Sequence, residues 1–143
     1  MNRDVEQQVW QRVLGQPEPP RGNLRPMELE AMEAAAVYRM LAGQFSGKGR
    51  EQLRHLYDMQ MEMLACLRGI GRLSGCRGGK NAQIAAPEEP AAKALERRYH
   101  CARRAVTEYT ARTVDGDFGI VFQHLADLSR EECAALSRLL GSY

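Results

Sequence analysis

The sequence predicts an all-α fold: two αα-hairpins joined by a long crossover, with a short helix in front. Three observations carry this. Straight-chain and small helix formers are plentiful, aromatics are only 6%, and β-branched residues are few and scattered. Residues 55–67 (HLYDMQMEMLACL) and 124–136 (HLADLSREECAAL) read as two versions of one helix. Finally, only one connection between helical segments, residues 74–89, is longer than a compact bundle ordinarily needs. A chain of 143 residues is enough for one domain with a sizeable core and too short for two comfortable ones.

In chain order, Val5, Val9, Trp10 and Val13 stand at helical spacing and predict an amphipathic helix over residues 2–14. Gly15 and the prolines of QPEPPRGN end it, so residues 1–24 form an N-terminal helix and arm, with the bundle over 25–143. Pro26 suits the first turn of a helix expected over 26–44. FSGKGR supplies turn chemistry before a helix over 51–73, which stops near SGCRGG. After the crossover, a fourth helix is expected over 90–113, then a VDGDFG turn and a last helix over 119–140.

The hairpins repeat each other. His55, Leu56, Asp58, Glu62, Ala65 and Leu67 match His124, Leu125, Asp127, Glu131, Ala134 and Leu136 at a constant offset of 69. In the preceding helices Ala31 and Tyr38 match Ala102 and Tyr109 at an offset of 71, the difference reflecting turn length. An internal αα-hairpin repeat is the expected origin of this pattern. Helical spacing points Leu53, Leu56, Gln60, Met63, Leu64, Leu67 and Ile70 inward. It does the same for Phe122, Leu125, Ser129, Glu132, Leu136 and Leu139. Ala31, Ala35, Tyr38 and Leu41 face them from one leading helix, and Ala102, Val106 and Tyr109 from the other. An inward Glu132 needs a cation, a proton or a metal, because an isolated carboxylate in an apolar interior is costly.

Two hairpins, a crossover and a tyrosine on each leading helix resemble the ferritin-like superfamily, and within it the rubrerythrin-like four-helix bundles, over about residues 25–141. RHLYDMQMEMLACLRGI and GIVFQHLADLSREECAALSRLLG resemble the family's two helices that carry Glu-x-x-His. The resemblance implies two metal ions inside the bundle, held by a Glu on each of two helices and a Glu-x-x-His on each of the others. The leading-helix positions are here Ala31 and Ala102, and the Glu-x-x-His positions are Gln60 and Met63, then Ser129 and Glu132. All six depart from the pattern. Alanine and serine cannot offset two divalent ions, and oxygen-seeking metals do not favour a thioether. The ligand positions are therefore degenerate, and the expectation is a bundle without a working di-iron site, catalytic residues or cofactor.

Such a protein would act by binding or assembly, as a homodimer through an Ala- or Met-rich helix face. Tyr38, Gln60, Met63, Tyr109, Ser129 and Glu132 are candidates for an interior pocket holding a small molecule. The first expectation for this interior is an apolar and hydrogen-bonded core in which Gln60 and Ser129 bond Tyr38, Tyr109 or Glu132, with the pocket as a third reading. The alternative is an iron-dependent oxidoreductase or peroxide-handling protein whose metal is displaced onto Glu30, Glu33, Asp58, Glu62, Asp127 or Glu131. One residue along a helix turns a side chain by roughly 100°, which places these acids on outward or boundary faces. His55 and His124 are expected as boundary residues paired with nearby acids. Arg97-Arg98 and Arg103-Arg104 are expected on a solvated face. The net charge of +2 and the interspersed acids give no clustered basic face for nucleic acid. No stretch reads as a membrane span or export signal, so a cytoplasmic setting with free thiols is expected.

Overall fold

In the computed structural model, residues 23–75, 82–114 and 116–142 are described. Among them are four α-helices and no strand: α1 (Arg25–Ala42), α2 (Gly47–Leu73), α3 (Ala91–Ala111) and α4 (Gly119–Gly141). Two single 3-10 turns, Arg112–Val114 and Gly116–Phe118, separate α3 from α4. The helix expected over 2–14 lies outside the described residues, as does part of the crossover. The described remainder of that connection, 74–75 and 82–90, carries no helix or strand.

Each helix exists for a local reason and is held by its buried face. Pro26 sits in the first turn of α1, where its missing N–H costs nothing. The α1 C-terminus is closed by Arg50, whose Nε donates to the carbonyls of Ala42 (3.0 Å) and Phe45 (2.9 Å). The Ala42 carbonyl is a group that a helix end otherwise leaves to water, and Phe45 lies in the turn that follows. The next helix begins at Gly47 rather than near residue 51, because Ser46 is extended and serves as its N-cap. Gly47 holds φ at 58°, a left-handed value that glycine adopts without strain. The glycines read as a turn are thus the first turn of α2.

The side-chain contacts fix how the helices run. Glu28 meets Arg68 at 3.8 Å, while Arg50 reaches Ala42, so α1 and α2 are antiparallel. Tyr109 stacks on Phe122 and Arg98 reaches Glu132, so α3 and α4 are antiparallel too. Between the hairpins, Gln52 bonds the carbonyl of Ala135 and Glu62 meets His124, which makes α2 and α4 antiparallel neighbours. On the other side, Glu30 and Glu33 of α1 face Arg98 and Arg97 of α3.

The core lies where the four stripes meet. Every residue expected inward on α2 and α4 is buried, as are Ala31, Ala35, Tyr38, Leu41, Ala102 and Tyr109; Val106 is half-buried. No helix among the described residues is long and apolar enough to cross a membrane.

Candidate functional site

The eight interior positions singled out by the sequence come together. Ala31, Tyr38, Gln60, Met63, Ala102, Tyr109, Ser129 and Glu132 are all buried, none more than 4% exposed. They do not form the hydrogen-bonded set expected of them. Ser129 Oγ donates to the Leu125 carbonyl of its own helix (2.9 Å), an ordinary i−4 bond, and so bonds neither tyrosine nor Glu132. Gln60 Nε2 is buried with no hydrogen-bond partner. Instead Tyr38 and Glu132 bond each other directly, the tyrosine hydroxyl donating to Glu132 Oε2.

The residue that organises this centre is Arg98, which sequence reasoning placed on a solvated face. It is 3% exposed, and its Nη2 donates to Glu132 Oε2 at 3.1 Å. Its guanidinium carbon also lies 5.7 Å from the centroid of the Tyr38 ring, within cation–π range. Adjacent residues on a helix point about 100° apart, and the doublet divides accordingly. Arg97 stays at the rim, bonding Glu89 and Glu33 (2.9 and 3.0 Å), while Arg98 turns inward. The helical spacing Leu95, Arg98, Ala102, Tyr109 carries the signal, since all four are buried on α3.

The electrostatics follow from this packing. Burial opposes the charge on Arg98, but Tyr38 and Glu132 beside it hold the guanidinium above its ordinary value, so it stays charged. Burial, reinforced by the Glu132 carboxylate, pushes the Tyr38 hydroxyl well above its ordinary range and keeps it protonated as a donor. Tyr109 is likewise raised, by burial first and then by Glu30. At the centre the buried Glu132 carboxylate is matched by one cation and one hydroxyl, with Glu30 at 3.9 Å on the outer side of the same guanidinium.

A di-metal site does not fit these residues. Two divalent ions need several carboxylates, whereas this interior has Glu132 alone among the six ligand positions, with a guanidinium already bonded to it. The neighbouring acids are engaged elsewhere. Glu33 pairs with Arg97, Glu62 with His124, and Asp127 with Arg130 and Gln123; Asp58 and Glu131 are exposed. Glu30 lies 3.9 Å from Arg98 and is raised from its ordinary value, by burial more than by its charged neighbours. Among the described residues no three His, Cys, Asp or Glu side chains converge as metal ligands.

The histidines divide. His124 is buried and its Nε2 lies 2.9 Å from Glu62 Oε1, as expected of a boundary residue paired with an acid. Its counterpart His55 is exposed. Cys66 is buried, Cys101 and Cys133 are half-buried, and all three are free thiols. Burial and Glu132 raise the Cys133 thiol, which lowers its thiolate fraction and its reactivity.

The unpartnered Gln60 gives a direct test of the packing. A buried donor without an acceptor costs about 1–3 kcal/mol, and methionine has nearly the same length and volume. Gln60→Met is therefore expected to stabilise the fold by about 1 kcal/mol, read as a higher urea midpoint at an unchanged slope. A lower midpoint would mean that the amide has a partner in solution.

Comparison with known protein families, curated proteins and solved structures gives no match to this chain.

Proposed function

We propose that the chain is a ferritin-like, rubrerythrin-related four-helix bundle in which an internal ion pair stands where such bundles hold two metal ions. It acts by binding or assembly, as a homodimer, and not by metal redox chemistry. The observation that carries this reading is the Arg98–Glu132 contact closed by Tyr38. The one carboxylate left among the ligand positions is committed to a permanent cation, which compensates its charge without a metal. The pairing of each helix with two antiparallel neighbours supports the ferritin-like layout. The groove between α1, α2 and the crossover, lined by Met32, Met40, Met61 and Ile84, with Met61 42% exposed at its edge, supports assembly through a Met- and Ala-rich face.

Protein expressed without a tag in iron-, zinc- and manganese-supplemented medium tests both parts in one preparation. Elemental analysis is expected to find far less than one ion of any of these metals per chain. Light scattering is expected to give twice the mass of the chain. Near two ions per chain would overturn the metal-free reading in favour of a displaced iron site with oxygen or peroxide chemistry. A monomer at micromolar concentration would overturn the assembly.

A further inference from the structure

At the end of the first hairpin, beside the α1–α2 turn, lies a pocket of about 740 Å³ whose lining includes Arg39, Arg50, Arg54, Tyr57 and Asp58. Its size is that of cavities that hold small organic ligands. Three guanidinium groups against one carboxylate make it the reverse of the bundle centre, where one cation is matched by one anion. We propose that this pocket binds a small organic oxyanion, carrying phosphate or carboxylate groups, with a ring or hydroxyl portion for Tyr57 and Asp58. The proposal does not rest on the lineage and metal reading above: Tyr38 is the one lining residue shared with the bundle centre, and its hydroxyl is already committed to Glu132.

The three arginines differ in a way that suits such a ligand. Arg50 is partly buried and anchored, with its Nε shared between the carbonyls of Ala42 and Phe45. That pair of bonds fixes the plane of the guanidinium and leaves its two terminal amino groups out of the contact. A planar, immobilised fork recognises oxyanions at a lower ordering cost than a free side chain. Arg54 stands one turn further along α2, and Arg39 faces the pocket from α1. Both are exposed, and neither forms an ion pair with a described residue, in contrast to Arg97, Arg98 and Arg130. Asp58, four residues after Arg54, likewise makes no such pair, although i,i+4 spacing offers one. Among the described residues an exposed arginine without an ion pair is ordinary, Arg130 being the exception; what sets Arg39 and Arg54 apart is that, with Arg50 and Asp58, they line one concave site. Tyr57, half-buried at the wall, supplies an aromatic face and a hydroxyl. Asp58 would repel a bare polyanion, which favours a ligand that also offers a hydrogen-bond donor.

The test is titration of the intact chain with inorganic pyrophosphate, citrate and adenosine monophosphate, followed by calorimetry and by amide chemical shifts. At least one of the three is expected to saturate at millimolar concentration or below, with shifts centred on Arg39, Arg54 and Tyr57. Arg39→Gln with Arg54→Gln is expected to weaken that binding at least tenfold, while Arg138→Gln on α4 leaves it unchanged. Both altered positions are exposed, so the melting temperature serves as a check that the fold persists. Preference for pyrophosphate or the nucleotide assigns a phosphate ligand, and preference for citrate assigns a carboxylate. Failure of all three to saturate, or binding that survives the double substitution, would overturn the proposal.

Discussion

Arg98→Met is expected to lower stability by about 3–5 kcal/mol, the usual cost of removing one partner from a buried ion pair. The loss does not arise from the missing contact alone. Methionine fills much of the arginine volume, so the cavity is small, but the Glu132 carboxylate is left in a closed interior with only the Tyr38 hydroxyl. The same argument predicts the rescue. Arg98→Met with Glu132→Met removes both charges and recovers much of the loss, because apolar residues of similar volume commonly replace a buried pair at little cost. That double variant strands the Tyr38 hydroxyl without its acceptor, so adding Tyr38→Phe is expected to recover about 1 kcal/mol more. Urea denaturation of the three variants measures the series. A loss below about 1 kcal/mol for Arg98→Met, the range of exposed pairs, would show that water reaches the centre.

Gly119→Ala is the second large effect, expected at about 3 kcal/mol, the upper end of the cost of overpacking. A Cβ at this position would stand 2.2 Å from the backbone oxygen of Thr113 and 3.2 Å from its carbonyl carbon. Those atoms belong to the 3-10 turn Arg112–Val114 and cannot swing aside as a side chain would, so the turn or the start of α4 must move. Phe118 and Phe122, both fully packed at this corner, would move with it. Gly141→Ala is the control on the same helix, since no atom stands within 4 Å of its would-be Cβ. It is expected to be neutral or stabilising by about 0.5 kcal/mol, through the unfolded chain. Thermal melts of the two variants separate close approach from a general effect of adding a methyl group.

Helical periodicity was sufficient to read the interior stripes, because each of these helices shows the core a single face: Leu53 through Ile70 on α2 and Phe122 through Leu139 on α4. Helix ends were less legible where a residue type serves two purposes. Gly47 and Gly49 look like turn residues, yet they lie within the first turn of α2, where an extended Ser46 has already redirected the chain. The bundle centre was half legible. Glu132 could be recognised as a carboxylate in need of a partner. That the partner is Arg98 was obscured by the Arg97-Arg98 doublet, which composition alone assigns to the surface. Counting back one turn from Ala102 along the buried stripe of α3 reaches Arg98 directly, so the information was present. The basic pocket was not legible at all, since Arg39 and Arg54 are distant in sequence and ordinary on their own helices. Only the α1–α2 hairpin brings them to one wall.

The distribution of the buried charges between the two hairpins bears on how the halves find each other. Arg98 and Glu132 both belong to the second hairpin, and the repeat offsets place Met27 and Met63 at the corresponding positions of the first. Tyr38 crosses between the hairpins to reach Glu132. Two hairpins that present matched interior positions invite pairing of like with like, between copies of the chain as well as within one. If two first hairpins paired in the same register, each Tyr38 hydroxyl would be set against a Met63 thioether, a weak acceptor, in a closed core. Only the unlike pairing offers that hydroxyl a carboxylate. The Tyr38–Glu132 contact thus favours the unlike pairing over the pairing of two first hairpins.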